Sequence, residues 1–167
     1  MRICILLLLF SLGISLMSKA QNDIDTSHKF SVIYLPSYYK EKGVIFNKDY
    51  VVGVEMQNFK LRYTPTKDDI IKAEQIFNQK HNEAQKATVD TKVFFCHWVR
   101  QYVGFIDTNG DKNILLQLID NTKARKINRL LGKNWETVFT IMLSDSFYSV
   151  SKRVRINIDR SEISDKL

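Results

Sequence analysis

Between Val99 and Ile119 apolar and polar positions alternate with a period of two. Val99, Val103 and Phe105 alternate with Arg100, Tyr102 and Gly104; the polar run Asp107-Thr108-Asn109-Gly110-Asp111-Lys112 interrupts; Ile114, Leu116 and Leu118 then resume the period. Successive side chains of a strand point to opposite faces, so the pattern predicts two strands of an antiparallel hairpin. Asn109-Gly110 predicts a type I′ turn between them, since both central residues of that turn need positive φ, which Asn tolerates and Gly adopts freely. This hairpin is the expected nucleus of a sheet.

The period changes after Thr64-Pro65-Thr66. Thr66 and Asp69 have the spacing of a capping box, with Asp in place of Glu, and Asp68 and Asp69 bring negative charge to the positive end of the helix dipole. A helix is expected from Lys67 to about Lys86. Ile70, Ala73, Phe77 and Ala84 fall on one stripe with Ile71 and Ile76 beside it, and Lys72, Glu74, Gln75 and Gln79 are assigned to the opposite side. Burying Ile70 or Phe77 is worth roughly 1.5–3 kcal/mol, against roughly 0.2–0.5 kcal/mol for a surface ion pair. Packing on a sheet therefore holds this helix.

Further strands are expected at Phe30–Leu35, closed by Pro36, and at Phe59, Leu61 and Tyr63, whose alternation with Lys60 and Arg62 predicts one wet face. Lys92 to Trp98 is apolar on both faces and leads into the hairpin. Thr122 to Leu131 predicts a short helix stopped by Gly132. Trp135, Val138, Phe139, Ile141 and Leu143 predict another strand, closed by a turn at Ser144-Asp145-Ser146. In the last strand Val154, Ile156 and Ile158 alternate with Arg153, Arg155, Asn157 and Asp159. The order predicts an α+β fold: one long helix packed on a curved, mostly antiparallel sheet of four to six strands.

Arg2, the apolar run Ile3 to Met17 and the small residues before Gln21 have the three parts of a cleavable signal peptide, residues 1–20. The run is too short to cross the hydrocarbon of a membrane as a helix, so no transmembrane anchor is expected after cleavage. Residues 21–167 are then one α+β domain in the periplasm or the medium. Cleavage removes Arg2 and Lys19 and lowers the formal charge of +7 by two. This mild excess favours anionic partners and does not point to specific nucleic acid. Cys4 leaves with the signal, so Cys96 is the one thiol of the mature chain and has no intramolecular disulfide to form. A buried thiol in an apolar strand is the expected role.

The catalytic inventory is short. Cys96-His97 suggests a thiol and imidazole dyad, but consecutive strand residues diverge, leaving His97 to act with a distant acid. Gln101-Tyr102-Val103-Gly104 approaches the Gln-x-Val-x-Gly loop of the cystatins; Gly104 directly follows Val103, however, and the tetrapeptide falls inside a strand. Asp107 to Asp111 lacks the glycine position and the twelfth-place acid of a calcium loop. No histidine pair has metal-ligand spacing, and no phosphate loop, nucleophile elbow or cofactor motif is present. Neither metal nor cofactor is expected, and the reading leans away from an enzyme. The binding candidates are the cations Lys123, Arg125, Lys126, Arg129 and Lys133, joined by Arg153 and Arg155 on the last strand. No aromatics interleave the cluster to stack bases.

The outline of Val51 to Ile163 resembles the cystatin-like arrangement, in which a meandering antiparallel sheet wraps one helix, and is similar to cone-shaped pocket folds. Three local texts, Lys19-Ala20-Gln21, Tyr63-Thr64-Pro65-Thr66 and Arg100-Gln101-Tyr102-Val103-Gly104, resemble those of small secreted bacterial proteins without an assigned activity. The resemblance implies fold and export, and no chemistry. The expected function is non-catalytic binding of an acidic protein or another anionic macromolecule. The alternative is a pocket enzyme or small-ligand carrier, its cavity between helix and sheet reached by His97 or Cys96.

Overall fold

A computed structural model of the chain describes residues 29–53, 58–85, 95–140 and 144–164. In chain order these form β1 (Phe30–Ile33), β2 (Gly43–Phe46), β3 (Phe59–Tyr63), α1 (Lys67–Gln85), β4 (Trp98–Asp107), β5 (Lys112–Asp120), α2 (Ala124–Leu131), α3 (Asp145–Tyr148), β6 (Ser151–Asn157) and β7 (Glu162–Ser164). The fold is α+β. Its sheet runs β1-β2-β4-β5-β6-β7, with β3 also on β4.

The sheet is mixed, and three α-helices accompany it where one long helix and one short helix had been expected. β2 runs parallel to Arg100–Val103 of β4, while β3 pairs antiparallel with Gly104–Asp107 farther along the same strand. The chain between β2 and β4, which includes β3 and α1, is long enough for the crossover that a parallel pair requires. The β4–β5 hairpin forms as the alternation predicts, Val103 opposite Leu115 and Gln101 opposite Gln117. Its turn differs. Gly110 has φ 90° but Asn109 does not enter the left-handed region, so the turn is not type I′. The reason is Asp107, whose Oδ1 accepts from the amides of Asn109 and Asp111, both at 3.0 Å, and shapes a wider loop around a single glycine.

The capping box at the start of α1 is reciprocal: Thr66 N donates to Asp69 Oδ2 at 3.0 Å, and Asp69 N to Thr66 Oγ1 at 3.2 Å. From there α1 lays Ile70, Ala73, Ile76 and Phe77 on Tyr102, Leu116, Val154 and Ile156 of the sheet. The other face of the sheet is also covered, which the hydrophobic pattern had not foretold. Val103, Phe105 and Leu115 pack with Phe139, and Val99 and Ile119 pack with Ile127, Trp135, Phe147 and Val150. β4 and β5 are thus buried on both sides.

This second layer replaces the strand expected from Trp135. Residues Trp135–Thr137 form a 3-10 turn, and the described residues after it are not paired as a strand. Their carbonyls are taken by side chains of the sheet. Gln101 Nε2 donates to the oxygens of Trp135, Glu136 and Val138 at 2.9, 3.0 and 3.2 Å, and Gln117 Nε2 donates to Thr140 O at 3.2 Å. A segment whose acceptors are used this way has few left for a neighbouring strand.

The single wet face expected of β3 does not form, although Lys60 is exposed and Tyr63 half-buried as the alternation predicts. Phe59 and Leu61 are exposed, whereas Arg62 turns inward and donates to the carbonyls of Gly104, Tyr50 and Asn47 at 2.8–3.2 Å. A register shift lies between Phe59 and Leu61. Gly132 ends α2 as expected, at φ 84° with its amide on Asn128 O. The expected signal segment 1–20, the connection 87–91, the run 92–94 and the expected strand positions 141–143 lie outside the described residues. Among the described residues no helix is long and apolar enough to cross a membrane.

Gly104 lies where β3 and the Thr64-Pro65 bend meet β4. A Cβ there would stand 2.7 Å from Tyr63 O and 2.8 Å from Pro65 Cγ. Gly104→Ala is expected to lower the unfolding free energy by about 1–3 kcal/mol, measured by urea denaturation with the m-value unchanged.

Candidate functional site

Among the described residues, two gatherings of polar side chains bear on function. The first lies beneath α1. Glu74, Arg100 and Tyr102 have no solvent exposure and Tyr39 has 2%. Tyr102 donates its hydroxyl to Glu74 Oε1 at 2.7 Å, and Arg100 Nε lies 3.4 Å from the same oxygen. The Arg100 guanidinium stacks 4.2 Å above the Tyr39 ring, and its Nη1 donates to Phe95 O at 2.6 Å and to Trp98 O at 2.9 Å. Its Nε and Nη2 have no hydrogen-bond partner.

Burial raises the Glu74 carboxyl above its ordinary range, against the opposing pull of Arg100 and the Tyr102 hydroxyl. Burial also pushes Tyr39 up to about 12, and burial together with the Glu74 charge holds Tyr102 well above its ordinary value. Both tyrosines are therefore neutral, and Tyr102 is a donor. Closed from solvent, the group ties a helix, a strand and a turn together, with Glu74 as its one carboxyl.

Glu74 corrects its assignment to the outer face of the helix. The spacing Ile70, Ala73, Glu74, Phe77 and His81 follows the i, i+3, i+4, i+7 rule and sets Glu74 on the inner stripe. That spacing could have identified the residue. Arg100 was readable only as the polar alternate of a half-wet strand; α1 closes the face that alternation had left to solvent on β4.

Cys96 and His97 lie in a turn that precedes β4, which corrects their placement in a strand. The turn follows Phe95 at φ 64°, and Cys96 O accepts from Lys40 N at 2.8 Å. Cys96 is half-buried, and exposed His97 has Nδ1 4.0 Å from Glu41 Oε1. Above the turn, Phe95 packs on Trp98, on Phe77 and on His81, with Lys152 Nζ 4.8 Å over its ring. Burial and the Lys152 charge lower the pKa of His81. Among the described residues no group of three or more His, Cys, Asp or Glu is placed to hold a metal ion.

The second place is the outer surface of α2. Arg125, Lys126, Arg129 and Lys133 are exposed while Ile127 is buried below them. Lys126 Nζ reaches Ser149 Oγ at 2.7 Å, and Lys123 Nζ lies 3.4 Å from Asp120 Oδ2 and from Ser149 O. Among the described residues Arg125 and Arg129 have no hydrogen bond or ion pair.

The two cations of the last strand do not join this cluster as outward charges. Arg155 points into the second face, donating to Asn113 Oδ1 at 2.9 Å and to Asp107 Oδ2 at 3.0 Å with its guanidinium 5.2 Å from the Phe105 ring centre. Arg153 is half-buried, in register with Gln117, and its Nη1 is sequestered without a partner.

No family model, curated protein or solved structure matches the chain.

Arg100→Met alone leaves Glu74 buried without a counter-charge and is expected to cost about 3–5 kcal/mol. In a double-mutant cycle with Glu74→Gln, urea unfolding should report a coupling of about 1–3 kcal/mol; additive losses would show that the two groups do not interact.

At the hairpin turn burial opposes the Asp107 charge, but the amides of Asp111 and Asn109, the Asn113 side chain and Arg155 outweigh it and depress its pKa below 3.8. Burial likewise opposes Asp69, which Thr66 and Lys112 bring below 3.8. A depressed folded pKa adds stability above the unfolded value that is lost as pH falls through the folded one. Thermal scans should therefore show this part of the stability disappearing below about pH 4, with a shallower acid slope in Asp107→Asn.

Proposed function

We propose that the protein is an exported, non-catalytic binding module whose basic α2 surface contacts an acidic protein. The observation that carries this reading is the pair Arg125 and Arg129, one helical turn apart and exposed. They lie in a stretch, residues 121–135, that contains no Asp or Glu. Neighbouring acids neutralise most solvated cations of a folded surface; these two have none assigned to them, so their field reaches outward to a partner. Lys126, Lys123 and Lys133 extend the same surface, with Lys123 partly neutralised by Asp120. Arg153 and Arg155 stand apart from it, committed to the interior face. A sheet packed against α1 supports the likeness to cystatin-like or cone-like architecture at the level of outline only. Export rests on the basic start and apolar run of the first twenty residues.

The pocket reading would place a cavity between α1 and the sheet. The polar residues there, Glu74, Arg100 and Tyr102, are closed from solvent, and the Cys96-His97 turn presents one exposed imidazole beside Glu41. These placements favour the binding module.

The test is binding of a fluorescent oligoglutamate peptide, measured by anisotropy across a salt series. Arg125→Glu/Arg129→Glu is compared with Lys60→Glu/Lys72→Glu, which has the same net charge and changes exposed lysines elsewhere. The α2 variant is expected to bind at least about ten-fold more weakly than the control, with a shallower salt dependence. Equal losses in both variants would overturn the reading.

A further inference from the structure

We propose that Glu74 and Arg100 form a proton-controlled latch beneath α1, holding the turn at residues 95–98 against the sheet and letting it open when Glu74 takes up a proton.

The geometry is that of a grip with one counterweight. Arg100 Nη1 donates to two successive bends of the turn, at Phe95 O and Trp98 O. The guanidinium is fully buried, yet its Nε and Nη2 lack hydrogen bonds, so its charge depends on the carboxylate 3.4 Å from Nε. The titratable and charged groups facing Glu74 are Arg100 and Tyr102 from β4 and Tyr39 from the bend before β2; Asn78 reaches it from α1 itself. The tyrosines are neutral, so among the described residues Arg100 is the one cation acting on Glu74. At the rim of the turn stand His97 beside Glu41, and His81 and Lys152 beside Phe95.

Arg100 makes a buried Glu74 a poorer proton acceptor than the same carboxyl with Arg100 withdrawn. A proton therefore binds more tightly to the arrangement in which the guanidinium has moved off, and acidification draws the population towards it. A buried guanidinium facing a neutral acid has lost the charge that kept it there, and water becomes its better solvent. Its departure frees Phe95 O and Trp98 O, and the turn that carries Cys96 and His97 loosens.

The opening is local. Burial gives folded Glu74 a higher proton affinity than the unfolded chain, so the unfolded state binds fewer protons. The contribution of this group to global stability falls as pH rises above 4.5 and is regained on acidification. Turn opening and global unfolding thus respond to a proton at Glu74 with opposite signs.

The test is hydrogen exchange of the full chain followed by NMR, corrected for the intrinsic pH dependence of exchange. The reporter is the Trp98 amide, which donates to Phe95 O at 3.1 Å, and the reference is the amides of the β4–β5 hairpin. Between about pH 7 and about pH 4.5, protection of Trp98 is expected to fall about ten-fold while the hairpin amides keep theirs. Glu74→Gln should show the low Trp98 protection at both pH values, and His97→Gln and His81→Gln should keep the wild-type response. A wild-type Trp98 amide whose protection does not change with pH overturns the latch even if Glu74→Gln does not fold. So does a response that survives in Glu74→Gln or disappears with either histidine.

Discussion

A strand pair covered on both faces must find a partner inside the protein for each polar side chain it carries, because an unpaired buried amide costs about 1–3 kcal/mol and a buried charge more. The β4–β5 hairpin carries Arg100, Gln101, Asn113 and Gln117, all without solvent exposure. Their partners decide how the rest of the chain is arranged. Arg100 looks to α1 and the turn before its own strand, Gln101 and Gln117 to the carbonyls of residues 135–140, and Asn113 to Asp107 and Arg155.

The two faces meet this demand with different chemistry. Beneath the second layer the bonds join neutral amides to carbonyls, with Gln117 passing its Nε2 to Gln101 Oε1 at 2.8 Å across the hairpin. Such bonds do not respond to pH and hold their segment under all conditions in which the fold persists. Beneath α1 the demand is met by a charge and its counter-charge, whose balance depends on a proton. Residues 135–140 are thereby fastened to the sheet by neutral bonds, and α1 by a charged pair.

The second layer also accounts for the basic surface. Because Ile127, Trp135, Phe147 and Val150 supply the inner side of this layer, the cations of α2 are left on its outer side, away from the carboxylates of the hairpin turn and of α1. Arg155, by contrast, lies in β6 opposite Leu115 and is drawn to Asp107. Two clusters of cations that look equivalent along the chain thus have opposite fates: one solvated, one consumed in packing.

Local chemistry determined much of this protein. The alternation about Gly110, the box formed by Thr66 and Asp69, the stripe of Ile70, Ala73 and Phe77, and the stop at Gly132 are interactions between residues a few positions apart, and they read correctly wherever the chain itself supplies both partners. Tertiary structure decided the rest. The spacing of Glu74 was legible, but its partners Arg100 and Tyr102 were not. The segment after Trp135 fails to become a strand because Gln101, more than thirty residues earlier, takes its carbonyls. The direction in which Arg62 and Arg155 point is set by acceptors on other strands. A hydrophobic pattern reports which side of an element is greasy; the partner of a buried polar group comes from wherever the fold brings it, and only the folded chain contains that information.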